Sequence, residues 1–223
     1  REALSFGEKA LDWLGVPQEN KTWGQGVKIA ILDTGVWTEH PAFEGSKITQ
    51  IDLLEPEQSI PGDYDGHGTA VASLIVGSTE AQRGISPAAG LISVRVLDGE
   101  GKGDTFTLAQ GIVEAVDQGA RVLSLSLGGS GDNFVLRKAV DYALEQGAVI
   151  VASAGNDSEN QATFPAAYPD VIGVSAVDAD SKLANFSNTG AGVDLAAPGI
   201  GLKSAWIGGK EVNFSGTSAS APL

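Results

Sequence analysis

Five short apolar runs constrain the fold of this chain more than any other feature. They are 27–32 (VKIAIL), 91–97 (LISVRVL), 121–127 (RVLSLSL), 148–152 (AVIVA) and 171–177 (VIGVSAV). Each has strand length and is rich in β-branched residues, with little polar/apolar alternation. Strands that are apolar at nearly every position must be covered on both faces, as in a parallel sheet flanked by helices. The segments between them suit crossover helices. In 105–118 (TFTLAQGIVEAVDQ), Thr105 or Thr107 is placed to cap the start and Gly119 to end it. In 133–146 (NFVLRKAVDYALEQ), Asp132 is the expected N-cap and Gly147 follows the end. There Val135, Leu136, Ala139, Val140, Ala143 and Leu144 keep the three-four spacing of one helix face. Strand, helix, strand, helix, strand over 91–152 predicts an α/β fold, a parallel β-sheet with helices on both faces. No repeat, linker or low-complexity tract interrupts residues 1–223, so a single domain is expected.

Charge and composition narrow the function. The chain carries 28 acidic and 14 basic residues, a net charge of −14. Phosphate neutralisation needs a basic patch, so nucleic acid is not an expected partner. Docking on anionic lipid is disfavoured for the same reason, and no apolar stretch approaches the ~20 residues that cross a bilayer. Cysteine is absent, which removes disulfides, thiolate catalysis and cysteine-ligated zinc. With two histidines and no HExxH, a transition-metal site is not expected. Methionine is absent too, and the chain starts Arg1-Glu2-Ala3, so it is expected to be a processed or excised piece of a longer product. The glycine-rich Gly99-Glu100-Gly101-Lys102-Gly103 lacks the third glycine of a dinucleotide loop and puts a glutamate where pyrophosphate would sit.

Histidine scarcity focuses the search for chemistry. His40 precedes Pro41 in a loop after a strand. His67 lies in Asp65-Gly66-His67-Gly68-Thr69-Ala70, where glycines on both sides let a partner approach and an apolar, helix-like run follows. The plain alternative for His67 is a helix-start residue bonded to backbone. A catalytic imidazole needs an orienting carboxylate and a nucleophile. Asp33 ends the 27–32 run, where α/β proteins keep their sites, although a turn-former would look the same. Ser218 stands among small residues at an apparent helix start, fit either to cap it or to be favoured by the helix dipole as charge develops. Asn156 follows the 148–152 run, as a turn residue or as an amide donor to an oxyanion. The order is Asp33, His67, Asn156, Ser218. No histidine follows Ser218, which excludes the α/β-hydrolase order, and the helix–strand alternation excludes an all-β chymotrypsin-like scaffold.

From about residue 23 onward the sequence resembles the subtilisin-like serine peptidases. Ile31-Leu32-Asp33-Thr34-Gly35-Val36 is similar to their Asp motif. His67-Gly68-Thr69 with Val71-Ala72 is similar to the His motif, and Gly216-Thr217-Ser218-Ala219-Ser220-Ala221-Pro222 to the Ser motif. Ala154-Gly155-Asn156 resembles the oxyanion-hole segment. The resemblance implies a serine endopeptidase with Ser218 as nucleophile, His67 as base then acid, Asp33 orienting the imidazole, and Asn156 with the Ser218 amide holding the oxyanion. It also implies substrate edges at Gly101, Lys102, Gly103 and at Ser126, Leu127, Gly128, which would pair with a peptide as a strand. Ser153, Gly155 and Thr163 would bound the first specificity pocket. Ser153 and Thr163 carry no charge, so an apolar or medium-sized residue is expected before the scissile bond. Asp63 and Asp65 would favour a basic residue one place further upstream, unless they only form a solvated turn.

The chain also departs from the family pattern. Ala70 replaces a common second histidine and Ala219 a common methionine. The segment 77–84 is short and lacks an asparagine-rich calcium loop, and Ala42 stands where those enzymes supply an Asp ligand. No metal or cofactor is therefore expected, the family's main calcium loop being unmatched. The chain stops five residues after Ser218, so the fold is expected to be truncated there and Ser218 displaced in the isolated piece. The expected partners are a polypeptide substrate and the enzyme's own pro-segment, in a secreted, extracellular setting. Sequons occur at Asn20, Asn156, Asn185 and Asn213, and a glycan on Asn156 would block the oxyanion hole, which favours a bacterial or archaeal route. Two other functions use the same sequence: an acyl transferase making macrocyclic peptides, and a non-catalytic binding domain that keeps the fold.

Overall fold

The computed structural model describes residues 3–54, 62, 63 and 65–223. Its centre is a seven-stranded sheet of β1 (Lys28–Asp33), β2 (Lys47–Asp52), β3 (Gly90–Arg95), β4 (Val122–Leu125), β5 (Val149–Ser153), β6 (Ile172–Val177) and β7 (Leu195–Pro198). The spatial order is β2-β3-β1-β4-β5-β6-β7 and every pairing is parallel. Alternate residues of β1 enter different cores, which is why the run reads as continuously apolar. Ala30 and Leu32 join Ile92, Val94, Leu123 and Ile150 under α3 (Thr105–Asp117) and α4 (Phe134–Glu145). Ile29 and Ile31 join Leu91, Val71 and Ile75 under α2 (His67–Val76). Two short helices, α1 (Ala10–Trp13) and α5 (Thr217–Ser220), and an antiparallel hairpin, β8 (Leu202–Trp206) with β9 (Lys210–Phe214), complete the described fold.

All five sequence-predicted strands are present, with ends that agree within two residues. Both helix caps differ from expectation. Asp104, not Thr105 or Thr107, caps α3, its Oδ1 accepting from the amides of Phe106 (2.9 Å) and Thr107 (3.0 Å). Thr107 instead donates its hydroxyl to Asp104 Oδ2. Asn133, not Asp132, caps α4, accepting from Val135 N and Leu136 N, and Asp132 pairs with Arg137. In each case the cap is the residue whose backbone is extended immediately before the helix.

The chain runs from β1 to β3 on one side and then crosses to β4 on the other. The carboxyl ends of β1 and β4 thus flank a switch in strand direction of travel, the usual place for a site in an open parallel sheet.

The bonds from Thr107 and Phe106 hold the Asp104 carboxyl below its ordinary value of 3.8. A depressed carboxylate stabilises above its unfolded pKa and loses that contribution as pH falls through the folded value. Asp104→Ala is expected to lower stability by about 1 kcal/mol at neutral pH, with the difference from wild type shrinking in acid. Paired denaturant titrations at neutral pH and in acid measure it, and an undiminished difference in acid would contradict the cap.

Candidate active site

The turn after β1 and the first residue of α2 bring the first two site residues together. Asp33 is the last residue of β1 and has no solvent exposure. His67 opens α2, with Nδ1 2.7 Å from Asp33 Oδ1. A carboxylate oxygen can only accept, so Nδ1 carries the proton and Nε2 keeps a lone pair. Asp33 Oδ1 also accepts from Thr34 N at 2.8 Å. This approach depends on Gly68, because a Cβ there would lie 2.1 Å from the Gly35 carbonyl oxygen. On its other side the imidazole meets Phe214 edge-on, with ring centroids 5.3 Å apart. Burial pulls the His67 pKa down, while Asp33, by charge and hydrogen bond, and then Asp65 and Asp63 push it up. The outcome lies above the ordinary 6.5.

Ser218 and Asn156 come from the other side of the sheet. Ser218 is the second residue of α5, and its Oγ donates to the Ser126 carbonyl at 3.1 Å. Ser126 Oγ returns a bond to the Ser218 carbonyl at 2.9 Å. Asn156, three residues beyond β5, accepts at Oδ1 from Thr217 N (2.9 Å) and Thr217 Oγ1 (3.0 Å). With the amide oxygen engaged, Nδ2 is the group it has to donate. A Cβ on Gly216 would have Asn156 Nδ2, the Ser218 backbone N and Asn156 Oδ1 at 3.6, 3.7 and 3.8 Å, so the side-chain amide and the Ser218 amide lie beside the same glycine.

A cleft of about 570 Å³ runs past His67 and is lined on one edge by Gly101, Lys102 and Gly103, and on the other by Ser126, Leu127 and Gly128. All six predicted edge residues are therefore brought together. Ser153, Gly155 and Thr163 do not line this cleft; they back it. Ser153 is buried with Oγ 3.4 Å from the Leu127 carbonyl, and Gly155 N donates to Thr217 Oγ1 at 3.2 Å. Thr163 donates to the Ala154 carbonyl and presses on Gly128, where a Cβ would sit 2.3 Å from its hydroxyl. It opens instead onto an adjoining cavity of about 420 Å³ shared with Gly129, Ser130, Asp157 and Glu159. Of the two acidic residues before His67, Asp65 lines the cleft, whereas Asp63 is buried and does not. Leu97, Leu108 and Leu136, which sequence reasoning passed over, give the cleft an apolar end. The sequence places Leu97 in an apolar run and Leu136 on a helix face, and Leu108 stands early in α3, so their shared approach to the cleft is visible only in the fold.

The model of the subtilase family matches residues 24–223. The chain belongs to the subtilase family. That makes it a serine endopeptidase of the subtilisin type. It is 41% identical to thermitase of Thermoactinomyces vulgaris over 202 residues, covering 89% of this chain and 72% of the relative. It is 38% identical over 216 residues to an intracellular serine protease of Paenibacillus polymyxa, covering 91% of this chain and 65% of that one. Among solved structures, a mutant of the protease domain of PatA superposes with a TM-score of 0.83 at 32% identity, covering 90% of this chain and 77% of that chain. Among the described residues no helix is long and apolar enough to cross a membrane.

The raised His67 pKa gives a direct test of the site electrostatics. Negative neighbours stabilise the imidazolium, so His67 is expected to titrate above 6.5, and Asp33→Asn to move that titration to lower pH. With only two histidines in the chain, proton NMR of the ring C–H signals can follow it. An unmoved titration in the variant would show that Asp33 does not pair with His67 in solution.

Proposed function

We propose that this chain hydrolyses peptide bonds through Ser218, His67 and Asp33, with Asn156 and the Ser218 amide as oxyanion donors. The observation that carries the reading is the 2.7 Å bond between His67 Nδ1 and buried Asp33, set in a peptide-sized cleft that shares Ser126 with Ser218. An extended peptide lies between the edges Gly101–Lys102–Gly103 and Ser126–Leu127–Gly128 as an added strand. Ser218 Oγ turns from the Ser126 carbonyl to His67 Nε2, gives up its proton there and attacks the scissile carbonyl. The developing oxyanion lies between Asn156 Nδ2 and Ser218 N, two fixed dipoles that are favoured where water is excluded. His67 then hands its proton to the leaving amine, and water repeats the sequence on the acyl-enzyme. Asp33 keeps the proton on Nδ1 throughout and balances the imidazolium charge. No step draws on a metal or cofactor.

Substrate preference follows from the lining. Thr163 pressed on Gly128 limits depth beside the scissile bond, which supports the medium-sized choice within the apolar or medium-sized residue expected there. The leucines at the far end suit an apolar side chain further upstream. Asp65, whose Oδ1 accepts from His67 N at 3.0 Å, favours a basic residue between the two. The strongly acidic, cysteine-free composition supports an exported enzyme matured from a pro-segment.

Ser218→Ala is expected to abolish turnover and leave the fold intact, at a cost of no more than ~1 kcal/mol. Asn156→Ala is expected to cut turnover by ~10²–10³, the loss that subtilisin itself shows for its oxyanion amide. Product masses from a defined peptide separate the competing functions. Cleavage adds one water, a macrocycle has the linear mass less the leaving segment, and an unchanged peptide at full binding would mark a domain that only binds.

A further inference from the structure

One buried carboxylate takes no part in the steps above. Asp63 is 4% exposed, and among the described residues no cation pairs with it. Five neutral donors surround it instead. Its Oδ1 accepts from Thr34 Oγ1 (2.9 Å), Gly66 N (2.8 Å) and Asp65 N (3.1 Å). Its Oδ2 accepts from Thr69 N (2.9 Å) and Thr69 Oγ1 (2.6 Å). Burying an ionised carboxylate costs several kcal/mol unless its oxygens are fully bonded. Here they are, and every donor belongs to a segment that holds a site residue.

The consequences run through two hydroxyls. Thr69 Oγ1, donating to Asp63, accepts from Trp37 N at 2.9 Å, which ties the loop after β1 to the first turn of α2. Thr34 Oγ1, donating to Asp63, accepts from Gly68 N at 3.0 Å, which ties the residue after Asp33 to the residue after His67. Thr34 Oγ1 also lies 3.3 Å from Asp33 Oδ1. A hydroxyl has one proton, and the shorter contact to Asp63 takes it. Were Asp63 unable to accept, that proton would turn to Asp33 Oδ1, which already receives Thr34 N and His67 Nδ1. α2 has Gly66 at its N-cap position and no side-chain cap of its own. The first-turn amides that a cap would serve are met from outside the helix instead, Thr69 N by Asp63 itself, Gly68 N by the Thr34 hydroxyl that Asp63 holds, and His67 N by Asp65.

We propose that Asp63 is a positioning residue for His67, fixing the first turn of α2 against the turn after β1 and keeping the Thr34 hydroxyl off Asp33. This rests on the reading of His67 as the catalytic base. The charged groups around His67 are Asp33 from β1 and Asp63 and Asp65 from the loop before α2. Phe214, the ring against it from β9, is uncharged, and across the cleft Glu100 and Lys102 pair with each other while Asp104 caps α3. The three aspartates all favour the imidazolium, so loss of the Asp63 charge moves the His67 titration to lower pH.

The test uses this chain with Asp63→Asn and Thr34→Val, each checked for folding by circular dichroism. In Asp63→Asn the His67 ring signals are expected to titrate at lower pH than in wild type. The acid limb of kcat/KM moves with them, and kcat falls about tenfold with KM little changed, inside the ~10²-fold that a 1 Å misplacement can cost. Thr34→Val keeps the Asp63 charge and cuts the link to Gly68. It is expected to lower kcat in the same way with a smaller move of the titration, and it carries the test if Asp63→Asn does not fold. A folded Asp63→Asn with lowered melting temperature but wild-type titration and kcat would overturn the proposal, and so would a Thr34→Val of wild-type kcat. If wild type cleaves no peptide, the proposed function fails, while the His67 titration still reports whether Asp63 governs the His67–Asp33 pair.

Discussion

The buried hydrogen bond between Asp33 and His67 is the contact on which the rest of this structure turns. A carboxylate with no exposure is costly to ionise unless donors meet it. Asp33 finds them on one oxygen, Oδ1 accepting from Thr34 N and His67 Nδ1, both within 2.8 Å, while among the described residues nothing donates to its buried Oδ2. For His67 to arrive, the N-terminus of α2 must press on the turn after β1, and glycine at 68 permits it. The rest of α2 is buried, with Val71 and Ile75 lying on Ile29 and Ile31 of the central strand. Packing of the apolar face and geometry of the polar pair therefore determine each other. A shift of α2 along β1 would cost contacts in the core and the bond at the site together.

The second half of the site is delivered from the opposite direction of the sheet. β4 and β5 run parallel beside β1, and the chain leaves their carboxyl ends to form the Ser126 edge and the Asn156 turn. The β8–β9 hairpin then carries the chain back across α2, placing Phe214 on the His67 ring just before Gly216 and Ser218. The reciprocal bonds between Ser126 and Ser218, and those from Thr217 to Asn156, lock the returning segment onto both strand ends. Ser126 and Ser218, 92 positions apart, meet because the hairpin returns the chain to the carboxyl end of β4.

What could be read in advance follows the same physics. The five strands buried on both faces were visible as apolar runs, and the Asp33–His67 pair was within reach because the chain holds only two histidines and a carboxylate at the end of an apolar run. β2 escaped notice because it is an edge strand whose KITQID sequence alternates with polar residues and stays largely exposed. The β8–β9 hairpin carries a turn signal in Gly208-Gly209, both at positive φ between Trp206 and Lys210, but stands outside the apolar runs because β9 is mostly exposed. The caps were misplaced, by one or three residues at Thr105 and Thr107 and by one at Asp132, because each stands near another residue able to cap. Only the backbone's entry into the helix decides between them. The cleft edges followed from the family resemblance, but the retreat of Ser153, Gly155 and Thr163 behind the cleft did not, since it depends on a through-space contact between Thr163 and Gly128.

The two departures at Ala70 and Ala219 fit this packing. Ala70 lies within α2 with no exposure, and Ala219 is equally buried beside Leu74, Leu202 and Phe6. α2 packs against both α5 and β8 there. Small side chains on α2 and α5 allow the short helix that carries Ser218 to sit close to the helix that carries His67. A larger residue at either position would have to displace a neighbour in a close-packed core, at a typical cost of 1–3 kcal/mol. Bulk next to the nucleophile is thus set by the distance between two helices. The cleft keeps its chemistry in polar groups at strand ends, and its spacing in the alanines and glycines that let those ends converge.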